Sequence, residues 1–176
     1  MRLEPIIDCA HELFPKAMEL YRLSFPLHEQ REAFSQKNIL SDPDYRFCLI
    51  HHADIFAGLL LCWETDSFIY VEHFCIFPEL RNRQYGQKTL ESLSRRGKTV
   101  ILEIDPPTDI LSQRRKGFYQ RCGFVENPYP HVHPPYRPQA KGHPLIVMSS
   151  PAQLTEEGYR RFNQYLESRV MADALL

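Results

Sequence analysis

Residues 68–97 read FIYVEHFCIFPELRNRQYGQKTLESLSRRG, and within them the hydrophobic period changes from that of a strand to that of a helix. Phe68–Val71 with Phe74–Phe77 predict a buried strand, while Tyr85, Leu90 and Leu93, with Gly97 behind them, predict a short capped helix. Between the two lie Pro78, Arg81, Asn82, Arg83, Gly86 and Lys88. A helix beginning here aims unpaired backbone N–H groups and its positive dipole end at whatever docks, so the turn is suited to an anion, phosphate foremost. Gly86 allows close backbone approach, and the Arg and Lys side chains supply charge-assisted hydrogen bonds. The same residues also read as a solvated, arginine-rich loop.

The Walker pattern GxxxxGK[ST] and the dinucleotide fingerprint GxGxxG both need more glycines than this segment has, which disfavours ATP and NAD. PELRNRQYGQ resembles instead the coenzyme A loop, R/Q-x-x-G-x-G/A, of the GNAT N-acetyltransferases, with Arg81 in its first place and Gly86 in its last. The resemblance implies pyrophosphate recognition by Asn82, Arg83, Gln84, Tyr85, Gly86 and Gln87, with Arg81 as the leading cation. Gln84 stands where that family usually has a glycine. A side chain fits there if its φ is negative, and otherwise it narrows the cradle.

The 176 residues, 43% hydrophobic, suit one domain spanning 1–176. A formal charge of -1 and a pI near 6.7 argue against a nucleic-acid partner. No apolar segment approaches the roughly 20 residues of a membrane helix and MRLEPIIDCAHE lacks the order of a signal peptide, so a cytoplasmic protein without a membrane partner is expected. Cys9, Cys48, Cys62, Cys75 and Cys122 are odd in number and form no CxxC pair, which favours reduced core residues.

Outward from the central stretch, Cys9–Ser24 carries helical spacing closed by Pro26, and PLHEQREAFSQ predicts a short polar helix. In that helix Glu29 and Arg31 read either as a solvated face or as the rim of a substrate pocket. Tyr45–Ile50 and Ile55–Trp63 predict a hairpin with Gly58 at a bulge, and Phe68–Phe77 a third antiparallel strand. Thr99–Ile104 follows a crossover, so it is expected to run parallel to its predecessor. Leu111–Cys122 predicts a helix ended by Gly123, and Phe124–Glu126 and Leu145–Met148 predict strands on either side of a Pro- and His-rich loop. Tyr159, Phe162, Leu166 and Val170 form the stripe of a last helix, which covers the sheet or the partner subunit of a homodimer.

GFYQRCGF resembles the second GNAT signature, FYxxxGF, and the block LEIDPPTDILSQRRKGFYQRCGFVENPY with HPPY and PLIVM is similar to a bacterial GNAT subgroup carrying LEVEPP and QPPY segments. The resemblance implies an α/β (α+β) fold with a mixed, mostly antiparallel sheet flanked by helices. It also implies acetyl-CoA as cofactor and a direct N-acetyl transfer to a primary amine of a small molecule or peptide. Such chemistry needs a proton donor for the departing thiolate, and Tyr119 holds that place in the motif: a phenol near 10 and a thiol near 8.5 are close enough for transfer. By spacing alone Tyr119 is one member of an apolar helix stripe. For the base, Glu72 and Glu103 lie in apolar strands, where a raised pKa is expected. Alternation sets Glu72 on one face with Tyr70, Phe74 and Ile76.

Family likeness assigns the oxyanion and pantetheine contacts to the backbone around Phe74, Cys75 and Ile76, and a coenzyme contact to Ser112. Tyr129, His131, His133 and Tyr136 are expected to line the acceptor pocket. Neither His131/His133 nor His51/His52 has cysteine or carboxylate partners in the sequence, so no metal is expected. The alternative to an enzyme is an acyl-CoA-binding sensor or scaffold of the same fold, kept open by Gln84.

Overall fold

The computed structural model describes residues 1–138 and 140–174. Its strands are β1 (Arg2–Ile6), β2 (Tyr45–His52), β3 (Ile55–Glu64), β4 (Phe68–Ile76), β5 (Thr99–Ile104), β6 (Val125–Glu126), β7 (Val132–His133), β8 (His143–Pro144) and β9 (Ile146–Ser150). The helices are α1 (Phe14–Ser24), α2 (Ala33–Asn38), α3 (Tyr85–Ser94), α4 (Ile110–Arg121) and α5 (Glu156–Tyr165), the last running into a π-turn over Leu166–Val170. Seven strands form one sheet in the order β1-β2-β3-β4-β5-β9-β6, while β7 and β8 make a separate ribbon. All pairings in the large sheet are antiparallel except β4 with β5. This is the mixed, mostly antiparallel α/β sheet expected.

Strand alternation divides the core into two layers. Leu59, Leu61 and Trp63 of β3 face α1 and α5, where they meet Ala17, Leu20, Tyr21 and Phe162. Leu60 and Cys62 face the other way, towards Leu90 and Leu93 of α3 and Tyr119 of α4. Gly58 is required for a contact: a Cβ there would lie 2.1 Å from the Cys75 carbonyl oxygen. It adjoins the register shift between β2 and β3, where the bulge was expected.

Several expectations change. The first helix begins at Phe14, not near Cys9, because Pro15 belongs in a first helical turn. The polar helix divides into a 3-10 turn, Leu27–Glu29, and α2. Strand β1, an edge strand in a charged and proline-bearing segment, was not legible. Phe162, Leu166 and Val170 are all 0% exposed against their own sheet. Each burial contributes roughly 1.5–3 kcal/mol to this fold, so the stripe is not available to a partner subunit.

The feature that shapes the cleft is a bulge in β4. Leu61 pairs with His73 and Cys62 with Val71, which leaves Glu72 opposite nothing on β3. A bulge bends its strand, and the parallel pairing of β4 with β5 stops there: Val71 with Leu102 is the last pair, although β4 continues to Ile76 and β5 to Ile104. The two strands diverge, and the β5-facing edge of β4 from residue 72 onward carries no ladder.

Candidate active site

A cavity of about 960 Å³ fills the divergence and runs from the turn before α3 to the Pro- and His-rich loop. At the α3 end, Asn82 and Gln84 both adopt φ of 62°. The condition set for Gln84 is therefore reversed: it occupies the left-handed region itself, with ψ of 10°, as the N-cap of α3. Left-handed residues alternating with ordinary ones turn successive N–H groups to one side, an arrangement that cradles anions. No side chain caps α3, so the first-turn amides of Tyr85, Gly86 and Gln87 have no intrahelical partner. Arg81, Asn82, Gln84, Tyr85, Gly86 and Gln87 all line the cavity, whereas Arg83 does not. A Cβ on Gly86 would press on the Phe118 ring at 3.2 Å.

Phe74, Cys75 and Ile76 line the middle, on the unladdered edge of β4. Opposite them Tyr119 sits on α4, held by the rings of Phe118 and Phe124 at 5.2 and 5.8 Å between centroids. Its residue lines the cavity, and among the described residues no protein group hydrogen-bonds its hydroxyl. Burial pushes its pKa up to about 12, above the value near 10 assumed from sequence, so the phenol keeps its proton at neutral pH. Burial also raises the Cys75 thiol, which makes it a poor nucleophile. Ser112 does not reach the cavity; its hydroxyl and the Asp109 side chain make a reciprocal cap on α4.

At the other end Glu72 is among the residues lining the cavity, but its side chain has no exposed surface. Arg31 Nε donates to Glu72 Oε1 at 2.8 Å, Tyr136 Oη donates to the same oxygen at 2.9 Å, and Trp63 Nε1 donates to Oε2 at 2.8 Å. Burial pushes this carboxyl up, but Arg31, His73 and the Trp63 and Tyr136 hydrogen bonds outweigh it and hold the pKa below the ordinary value. The bulge also places Glu72 on the face of Tyr70 and Trp63, away from Phe74 and Ile76, because one extra residue inverts the alternation counted from sequence. Arg31 is neither solvated nor at a rim. It is fully buried, donates to the Val170 carbonyl at 2.5 Å, and lies over the Trp63 and Tyr136 rings.

Glu103, one residue past the last β4–β5 pair, accepts from Tyr70 Oη at 2.5 Å and contacts His131 Nε2. Burial raises its pKa, and His133, His131 and Tyr70 together more than reverse that, so the net direction is down. Both strand carboxylates thus shift opposite to expectation, because each was buried with its partners. His133 and Tyr136 line the cavity; Tyr129 and His131 do not. Tyr129 stacks on Tyr159 at 4.4 Å, and His131 is bound between Tyr159 and Glu103. The His133 Nδ1 atom lies 2.6 Å from the Pro134 carbonyl, which can only accept, so Nε2 is the nitrogen turned to Tyr136 (3.3 Å) and Glu103 (3.9 Å).

Glu29 lines the mouth, and among the described residues no hydrogen bond reaches its carboxylate. Burial and then the charge of Asp105 push its pKa up. Sequence reasoning missed His73 and Asp105, both of which line the cavity. His73 follows the bulge, and its Nε2 lies 2.8 Å from the Glu29 carbonyl while Nδ1 is buried without a partner. Asp105 binds Arg115 at 2.6 Å and His143 at 3.1 Å. Only its place directly after a strand that borders the cleft marked it. No helix among the described residues is long and apolar enough to cross a membrane.

Comparison with known proteins finds relatives by sequence and by fold. A sequence model of the acetyltransferase (GNAT) family covers residues 11–124. A solved GNAT-family protein from Bacteroides thetaiotaomicron superposes with a TM-score of 0.90 at 30% identity, covering 97% of this chain and 98% of that one. The YjbC protein of Bacillus subtilis, named as an acetyltransferase, is 28% identical over 102 residues, 57% of this chain; the match spans about half (52%) of that relative's length. An aminoglycoside 6'-N-acetyltransferase solved with coenzyme A shares the fold, with a TM-score of 0.57 at 16% identity over 85% of this chain and 96% of that one. The chain belongs to the GNAT family of acetyltransferases.

Proposed function

We propose that this chain transfers an acetyl group from acetyl-CoA directly to a primary amine of a small molecule or peptide. The observation that carries the reading is the pairing of a free phenol with free backbone donors in one cleft. The amides of Tyr85, Gly86 and Gln87, behind Arg81, receive the diphosphate, and the open edge of β4 at Phe74–Ile76 receives the amide-bearing arm and the oxyanion. Tyr119 then stands across from the reacting carbonyl. With its pKa near 12, it acts first as a hydrogen-bond donor to the departing sulfur and yields its proton as the thiolate leaves.

The acceptor arrives as an ammonium and must lose a proton before it attacks. Glu29 offers it an uncommitted carboxylate at the mouth. Glu29, whose pKa burial raises, is the better acceptor for that proton than Glu103 or Glu72, both of which their partners hold low; Glu72 serves to fix the strand bend. The amine nitrogen then bonds to the carbonyl carbon, the C–S bond breaks, and no cysteine carries the acyl group. Gln84 no longer favours the sensor reading, because its backbone already has the conformation a glycine would supply.

The test is acetyl-CoA consumption across a panel of primary amines, beside a calorimetric titration with coenzyme A. Turnover with at least one amine is expected, with saturable binding. Binding without turnover for every amine would leave the sensor in place of the enzyme, and no binding would remove both.

A further inference from the structure

Around the mouth of the cavity, three chain segments bring together metal-ligating side chains that the sequence holds far apart. We propose that His28, Glu29 and His143 form a binding site for a zinc-class divalent cation, with Asp105 beside it. One ligand atom from each of the three residues lies within 4.8 Å of the others. His28 Nε2 is 3.6 Å from Glu29 Oε1, and His143 Nε2 is 3.1 Å from Asp105 Oδ1. In a tetrahedral site with bonds of about 2.0–2.2 Å, neighbouring ligand atoms stand about 3.3–3.5 Å apart. The side chains of His28, Glu29 and His143 retain 54%, 33% and 38% of their exposure, so small rotations bring them to an ion that enters from solvent.

Chemistry selects the class of ion. Two imidazoles with one or two carboxylates suit zinc, nickel or copper, while magnesium and calcium prefer oxygen alone. Geometry points the same way: among the described residues no hydrogen bond occupies the Glu29 carboxylate, and Asp105 Oδ1 stands 3.1 Å from His143 Nε2. The histidines are not those the sequence offered as pairs. They come from the 3-10 turn after α1 and from β8, and the His28 and His143 rings already stand 5.4 Å apart between centroids. An ion here clasps both over the acceptor end, and it competes with an ammonium for Glu29.

This inference does not rest on the proposed reaction, and its test is a binding measurement. Zinc chloride is titrated calorimetrically into the full chain carrying Cys9→Ser and His11→Ala. These changes remove an exposed thiol and a second histidine–carboxylate contact, His11 with Glu4 at 3.2 Å. One ion per chain is expected, in the micromolar range. Adding His28→Ala and His143→Ala should raise the dissociation constant by more than the roughly 10–100-fold that loss of an outer partner costs. Cobalt in place of zinc should give the visible absorption of a four-coordinate ion, lost in the same variant while the thermal melt is retained. No saturable binding at millimolar zinc, or equal affinity with and without the two histidines, overturns the site. Turnover in chelator-treated buffer tests the enzyme reading separately.

Discussion

At the α3 end of the cavity the groups that face inward have no partners, whereas at the end beneath the β7–β8 ribbon almost every polar group is already taken. Among the described residues the first-turn amides of α3 and the Tyr119 hydroxyl lack a protein partner, and β4 beyond Val71 carries no ladder to β5. Glu72 has donors from Arg31, Trp63 and Tyr136, and Glu103 is held by Tyr70 and His131. Orphan donors near solvent cost little, since water replaces the missing ligand, so a site for an exchangeable anion can be left incomplete. A buried carboxylate has no such substitute and must bring its partners with it. One end is therefore unfinished so as to bind, and the other is finished so as to hold a bend in place.

Breaking the finished end should have the largest effect. Arg31→Ala leaves Glu72 charged, buried and short of its main partner, which typically costs about 3–5 kcal/mol. Urea unfolding measures it, and a loss under 1 kcal/mol would mean that water reaches Glu72. Adding Glu72→Gln should recover part of the loss, because the stranded charge goes with it. Acid probes the same end. Glu72 and Glu103 have folded-state pKa values below ordinary, so their stabilisation is fully present above the unfolded glutamate value near 4.3 and is lost as pH falls through the lowered values. Stability should thus hold from neutrality to about pH 5 and then fall steeply. A chain whose stability is flat from pH 5 to pH 3 would contradict the partnered state of both groups.

At the unfinished end, Tyr119→Phe removes a hydroxyl that no group among the described residues binds, so the fold should not notice. The thermal midpoint and coenzyme A affinity should stay within error, while kcat falls about 100-fold, the low end of what a general acid contributes. An unchanged kcat would reduce Tyr119 to packing. A large fall in melting temperature would reveal a hidden partner for the hydroxyl and remove the contrast between the two ends.

The unfinished end was also the legible one. Apart from the β4 edge at 74–76, its parts lie in two contiguous stretches, 81–87 and 117–124, where a change of period, a single glycine and two motifs expose the strand–turn–helix and the phenol. The finished end is assembled from Arg31, Trp63, Glu72 and Tyr136, separated by up to 105 positions, and nothing local ties an arginine in a polar segment to a glutamate in an apolar strand. The bulge explains the remaining error. Periodicity assumes an unbroken ladder, and one extra residue at Glu72 inverted every facing counted through it. The parallel β5 and the order of the central elements were readable because a crossover through a helix allows few topologies.

Gln84 carries the smallest and sharpest test. At φ 62° it holds a conformation that disfavours L-residues by roughly 1–2 kcal/mol, and it faces the cavity without capping α3. Gln84→Gly relieves that strain but loses more chain entropy on folding, so a net gain of only about 0.5–1 kcal/mol is expected. Coenzyme A affinity should not move, since the backbone that presents the amides is already in place. A tenfold loss of affinity would show that the glutamine side chain itself touches the ligand, and the α3 end would then contain a finished contact. A loss of stability would mean that the side chain props the turn, and the strain would then be offset within the protein before any ligand arrives. Gln84→Pro separates these outcomes from a general insensitivity of the loop: a ring fixed near φ of about −65° cannot take the left-handed turn, so it should abolish coenzyme A binding while the buried network around Glu72 keeps the sheet folded.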